Sequence, residues 1–222
     1  MAQKRKICAL ITARNGSKGL KKKNLQKIGG KTLIEITTEL AVKASLEVII
    51  STDIPEVLNG VHNHNVDVYH RPSILCKGDT PIEDVIKDAI RNKKIKGDIV
   101  LLQPTSPLRK DKQLRSIIEL YYKNMPSLCL SATVEDSSVL KSYVLHYGSY
   151  KSINRREYLF KNRQELPKVL RPNGAFYIFN AQAFLKHGFD TSNIQVYEMD
   201  EISSIDIDSY EDLERIRNLK ID

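Results

Sequence analysis

The chain has 222 residues, 41% apolar and 28% charged, a balance that excludes a disordered polymer and suits one α/β core with at most a small appendage. Its formal charge of +8 points to an anionic partner (nucleic acid, phosphate ester or sugar acid) or to a lysine-rich solvated surface. No stretch approaches the length of a membrane span, so a membrane partner is not expected.

In chain order, "KICALITA" is apolar and bounded by charge and glycine, which predicts a central parallel strand buried on both faces. The opening "MAQKRKICALITA" imitates a signal peptide, but the apolar run is at the lower limit of length and leads into Arg14, so it reads as that strand. "KTLIEITTELAVKA" sets Leu33, Ile36, Leu40 and Ala44 at helical spacing. "EVIIST", "VDVYH" and "DIVLLQ" read as the next strands. Before the last of these, "TPIEDVIKDAIRN" presents Ile82, Val85, Ile86 and Ile90 on one helical face, with Pro81 near N1 and Thr80 near the N-cap. "KDKQLRSIIELYYKN" is a further amphipathic helix, followed by the strand "LCLSATV". Strands separated by helices of this length predict a doubly wound, mostly parallel, Rossmann-like sheet.

That rhythm breaks between about Glu135 and Leu170, where the sequence turns polar and short-patterned; a structureless loop of that length is unusual in a compact domain. Residues 135–173 therefore read as an inserted arm, with residues 1–134 and 174–222 forming the α/β domain. "GAFYIFN" and "NIQVYEM" read as strands, "AQAFLKH" and "SYEDLERIRNLK" as helices. The three cysteines show no metal-ligand spacing, and Cys8 and Cys129 sit in apolar runs that suit buried reduced thiols and a cytoplasmic setting. The five histidines, "HNH" (His62 to His64) included, form no metal pattern and receive no role.

In an open parallel sheet, ligands bind beyond the carboxyl ends of the strands, so the informative loops follow strands. The first is "RNGSKGLKKKN". Gly16 and Gly19 allow close backbone approach, Ser17 and exposed N–H groups suit phosphate oxygens, and Arg14, Lys18, Lys21, Lys22 and Lys23 neutralise charge. It is not a dinucleotide fingerprint, and "GGKT" just beyond lacks the first glycine of a Walker motif, so "GGK" reads as a turn before a helix. Asp53 in "ISTD" reads as a helix cap before Pro55, and Arg71 in "HRPSIL" suits a phosphate or base edge. "LLQPTSPLR" is a proline-rigid loop offering Gln103, Thr105, Ser106 and Arg109 to a polar ligand. In "SSIDIDSYEDL", Asp206 and Asp208 alternate along an extended segment and face one side, a hard-oxygen pair of the kind Mg²⁺ uses beside phosphates.

These stretches, with "DTP" and "RQELPKVLRPNGAFYIFN", resemble in order and over nearly the whole chain the acylneuraminate cytidylyltransferases, or CMP-sialic acid synthetases. The resemblance implies a Mg²⁺-dependent reaction of CTP with a nine-carbon α-keto sugar acid, giving the CMP-sugar and pyrophosphate in a cytoplasmic homodimer. It implies catalytic work for Lys23, Arg14 and Asp208. It places Arg14, Asn15, Ser17, Lys23 and Asn24 on the nucleotide, with Arg71 and Thr80. Gln103, Lys141, Arg163, Arg171, Asn173 and Tyr177 would meet the sugar acid, and Asp206 and Asp208 the metal. The arm would dimerise and reach the partner's active site. Asn15 stands where glycine is common and Lys21 where proline is common, and Thr80 substitutes for a serine pair.

Two rival readings accompany this one. A legionaminate or pseudaminate enzyme, or one using another nucleotide, would differ only in its pockets. A nucleic-acid-binding module would spread its cations over one face with interleaved aromatics; here Trp is absent and the densest cluster lies in one loop, so no nucleic-acid partner is expected.

Overall fold

The computed structural model describes residues 6–17, 19–60 and 64–219; Lys18 of the basic loop and His62 lie outside them. The strands are β1 (Ile7–Ala13), a short hairpin of β2 (Lys27–Ile28) and β3 (Lys31–Thr32), β4 (Glu47–Thr52), β5 (Val66–His70), β6 (Asp98–Leu102), β7 (Leu128–Glu135), a second hairpin of β8 (Tyr143–His146) and β9 (Ser149–Ser152), β10 (Val169–Asn180) and β11 (Ile194–Met199). The helices are α1 (Leu33–Lys43), α2 (Pro55–Leu58), α3 (Ile82–Asn92), α4 (Asp111–Asn124), α5 (Ala181–His187) and α6 (Tyr210–Asn218).

Seven strands form one sheet in the order β11-β7-β10-β6-β1-β4-β5. Only β10 runs antiparallel to its neighbours, and every other pair is parallel. Successive side chains of β1 enter opposite cores. Ala9, Ile11 and Ala13 pack with Ile34 and Ala41 of α1 and Leu114 and Ile117 of α4. Cys8 and Leu10 pack with Ile86 and Ile90 of α3 and Phe184 of α5. A strand covered on both faces must be apolar at every position, which is why this run lacks alternation. Burial pushes the Cys8 thiol up to about 11 and the Cys129 thiol up to about 12, consistent with inert core groups.

Several expectations are corrected. Of the expected face of α1, Leu33 and Leu40 are buried, but Ile36 and Ala44 are only half-buried, and Ile34, Thr37 and Ala41 complete the buried face instead. Thr37 tolerates burial because its hydroxyl donates to Leu33 O (2.8 Å) and accepts from Arg109 (2.9 Å). Helix α3 begins one position later than expected, with Pro81 in an extended N-cap conformation and Thr80 outside the helix. The "GGK" turn, by contrast, stands before helix α1 as expected, and it closes the β2–β3 hairpin, whose two glycines both hold positive φ (55° and 83°), as a tight hairpin turn requires. Helix α2 is capped by Ile54 with no side-chain bond, so Asp53 is not its cap. The arm boundary also moves. β10 starts at Val169 and pairs with β7 from Glu135 inward, so the sheet reclaims the last residues assigned to the arm. The remainder of that segment holds the β8–β9 hairpin between 3-10 turns.

Candidate active site

The carboxyl ends of β1, β5 and β6 open onto one cavity of about 550 Å³. Its basic wall is the first loop. After β1 the chain carries Arg14 and Ser17, then turns back through Lys22, held at φ 51°, into a single 3-10 turn, Lys23–Leu25. Asn24 is buried there and its amide donates to Arg14 O (2.9 Å), locking the two ends of the loop together. Lys23 is thereby aimed across the cavity, where its ammonium donates to Asp208 Oδ1 at 2.9 Å.

The acidic wall is the extended segment before α6. Ile207 is fully buried and its N–H donates to Thr105 O (2.9 Å), so the residues on either side project the other way, into the cavity. Asp206 accepts from Ser106 Oγ (3.2 Å), and Asp208 is the partner of Lys23. The two walls meet at Gly19, where a Cβ would lie 2.7 Å from Asp208 O. The basic loop and the aspartate pair, 185 residues apart at Lys23 and Asp208, therefore share one site.

Arg71 closes the third side. It is 3% exposed, donating through Nε to Ser51 Oγ (3.2 Å) and through Nη2 to Ser51 O (2.7 Å), and burial lowers its pKa. Leu75, Ile82 and Val85 make an apolar patch beside it, with Thr80 and Gln103 at the rim. This combination fits a flat heterocycle joined to a polyanion: an apolar slot with a few polar groups, leading to a cationic loop.

A second cavity, about 1260 Å³, adjoins the first through Asp206 and Asp208. Arg171, Asn173 and Tyr177 of β10 line it, so these residues stand together as expected. Burial, and then the charge of Asp206, push the Tyr177 hydroxyl upward, keeping it a donor. Arg171 is paired with Glu135. Asn173 is only 6% exposed, and its amide is engaged by Ser131 (2.6 Å) and Ser204 (2.8 Å), which makes it a brace for the wall.

Other expected residues lie elsewhere. Lys141 donates to Lys161 O, and Arg163 pairs with Asp136 at 2.8 Å; neither lines either cavity of its own chain. The Asn15 side chain is outside the first cavity, and its backbone N–H is held by Asp53. Arg109 is not offered to a ligand. It is buried, bonded to Ala175 O (2.8 Å) and Thr37, with its guanidinium 5.7 Å over Phe176; burial pulls it down to about 9, an effect Asp206 opposes. Ser106 is likewise turned to Asp206, leaving Gln103 and Thr105 as the cavity residues of that loop.

Lys77 and Arg215 line the first and second cavities and were not singled out in the sequence. The signal for Lys77 was its place between Arg71 and Thr80; Arg215 gave none, being one cation on a charged helix. No cluster of three or more metal-ligating side chains occurs among the described residues. Asp206 and Asp208 nevertheless suit a hard divalent cation that completes its shell with water and phosphate oxygens.

Residues 8–221 match the protein family described as cytidylyltransferase. The chain is 30% identical to the N-acylneuraminate cytidylyltransferase of Streptococcus agalactiae serotype III (strain NEM316), a match covering 93% of this chain and 51% of that protein. The chain thus spans about half the length of that relative. It is 29% identical to the CMP-N,N'-diacetyllegionaminic acid synthase of Legionella pneumophila, over 92% and 91% of the two chains. Among solved structures, a CMP:2-keto-3-deoxy-manno-octonic acid synthetase complexed with CTP superposes with a TM-score of 0.69 at 17% identity, covering 96% and 97% of the chains, a likeness of fold.

Proposed function

The chain belongs to the cytidylyltransferase family, and on that premise we propose that it joins CTP to a nine-carbon, sialic-type sugar acid, releasing pyrophosphate. One observation carries this reading: the basic loop and the aspartate pair wall a nucleotide-sized cavity, and the same aspartates open onto a second, larger one. The nucleotide occupies the first cavity, its triphosphate against Arg14, Ser17 and Lys23 and its base beside Arg71 and Thr80. The sugar acid occupies the second, its carboxylate facing Arg171 and its hydroxyls Tyr177, while Gln103, expected on the sugar acid, lines the first cavity. The reacting atoms meet where the cavities join.

In the reaction, the anomeric hydroxyl oxygen forms a bond to the α-phosphorus while the bond from that phosphorus to the leaving pyrophosphate oxygen breaks. Lys23 moves from Asp208 to the α-phosphate oxygens, where negative charge develops, and so frees Asp208 to accept the anomeric proton. Arg14 holds the phosphates in line, and positioning with charge neutralisation supplies most of the acceleration. Asp206 and Asp208 are the residues that would hold Mg²⁺, which when bound neutralises the phosphates and clamps pyrophosphate. The active form is a homodimer joined through the arm.

The legionaminate-type acids form a second reading, favoured by the Legionella relative, which this chain matches over almost its full length. Pyrophosphate release is to be measured with each of the four NTPs against neuraminate, legionaminate and pseudaminate acids, with and without Mg²⁺. CTP-dependent, Mg²⁺-dependent release with at least one of these acids is the expected result. Turnover with another NTP, or none with any acid, would overturn the proposal.

A further inference from the structure

Three adjacent strands end side by side at the first cavity. Ala13 of β1 lies opposite Thr52 of β4, and Thr52 opposite His70 of β5. The residues that follow are Arg14, Asp53 and Arg71, so the sheet register sets one carboxylate between two guanidinium side chains. The flanking arginines line the cavity, whereas Asp53 does not. Its carboxylate turns along the edge of the site. Oδ1 accepts the Asn15 N–H at 2.7 Å, a bond from the end of β4 to the first loop. Nearby, the Cys76 thiol bonds to backbone carbonyls, Pro72 O (3.4 Å) and Arg71 O (3.9 Å); burial and then the Asp53 charge push it up to about 11. Cys76 belongs to the segment that carries Leu75 and Lys77 into the cavity. Asp53 thus ties the end of β4 to the first loop.

A helix cap does not explain this carboxylate, since α2 starts at Pro55 and its N-cap is Ile54, without a side-chain bond. Ligand contact does not explain it either. Two physical roles remain, and they act in opposite directions. As a charge, Asp53 makes the cavity less attractive to a polyanion. As an acceptor, it fixes the loop whose N–H groups and cations must meet that polyanion. A charged acceptor bound to a backbone N–H is roughly twice as strong as a neutral one, and a displaced loop loses its contacts together.

We propose that Asp53 is a positioning residue for the nucleotide, acting by geometry: it holds the first loop in its binding form through the Asn15 N–H. This rests on the cytidylyltransferase reading and adds a determinant that touches neither substrate.

The test compares Asp53→Ala, which removes the acceptor, with Asp53→Asn, which removes the charge but keeps an amide oxygen for Asn15. CTP affinity by calorimetry and KM for each substrate are measured at fixed salt. Asp53→Ala is expected to raise the Kd and KM for CTP about tenfold, with kcat within about threefold and the sugar-acid KM within about twofold of the parent. Asp53→Asn is expected within about threefold of the parent for CTP. Tighter CTP binding in both variants would show that the charge dominates and would overturn the proposal. So would an Asp53→Ala enzyme with unchanged CTP affinity, or one whose sugar-acid KM rises equally. Should Asp53→Ala fail to fold, amide exchange in the parent protein decides: Asn15 protected at least about tenfold over an unstructured amide supports the tether, and unprotected exchange overturns it. A parent chain that binds no CTP would instead remove the nucleotide reading, and this inference with it.

Discussion

A methyl group on Gly19 would meet the Asp208 carbonyl oxygen at 2.7 Å, and because that atom is backbone it has little room to yield. Gly19→Ala is therefore expected to push the basic loop away from the aspartates while leaving intact the two cores on the faces of the sheet. A shift of about 1 Å between catalytic groups costs on the order of 10²-fold, so kcat/KM should fall by about that factor. The melting temperature should stay within about 3 °C of the parent, since the site is at the surface. An unchanged kcat/KM would show that the two walls need not touch. Lys23→Ala tests the same junction from the side-chain end: turnover should drop at least about 10²-fold in a folded protein, because a cation placed at developing phosphate charge has no substitute in Ala. That Arg14, Lys23, Asp206 and Asp208 gather at one cavity was readable from the sequence. Arg109 and Ser106 were not. Their polarity suggested ligand contact, but both hydrogen-bond inward, to Ala175 and Thr37 and to Asp206 respectively. Sequence reports a polar group's capacity to bond, never the direction in which it is satisfied.

Helix α1 connects the first hairpin to the sheet, and its start is fixed by reciprocal bonds. Glu35 N donates to Thr32 Oγ1 (3.2 Å), while Glu35 Oε2 accepts from Thr32 N (2.7 Å) and from its hydroxyl (2.9 Å). Thr32→Ala should cost about 1 kcal/mol at neutral pH, or about 2–4 °C by thermal melting. The bonds from Thr32 hold the Glu35 carboxyl below its usual value. A carboxyl lowered in the folded state stabilises fully above its unfolded value, about 4.3, and loses that contribution as pH falls through the folded one. Glu35→Gln should therefore be less stable than the parent at pH 7 and converge with it near about pH 3. A gap independent of pH would sink this account of the cap. The main strands and helices were legible because each carries an unbroken two-face or one-face apolar pattern. The amino half of β10 was not. "RPNGA" spells a turn, yet the chain uses these residues at an irregularity between Pro172 and Tyr177, where the β7 register shifts and the strand resumes. The aligned partner strand, which local sequence does not contain, keeps the segment extended.

For the molecule as a whole, the arm poses a question that the single chain does not answer by packing. Tyr147 is 96% exposed, Phe160 84%, Tyr150 75% and Leu145 65%, a concentration of apolar surface on one small insertion. Arg163 lies in the same insertion, outside both cavities of its own chain. If the arm joins two copies and delivers Arg163 to the neighbour, both facts have one cause. Sedimentation equilibrium should then give a dimer, and Leu145→Asp combined with Tyr150→Asp should give a folded monomer with little turnover. A stronger test uses two inactive chains. Arg163→Ala and Lys23→Ala proteins, each with its lesion on a different side of a shared site, are unfolded together and refolded as a mixture. Random pairing makes half of the dimers mixed, and each mixed dimer holds one site with both lesions and one with neither, so turnover should return to roughly a quarter of the parent value. Were Arg163 acting within its own chain, each mixed dimer would hold two singly damaged sites, and mixing would restore nothing.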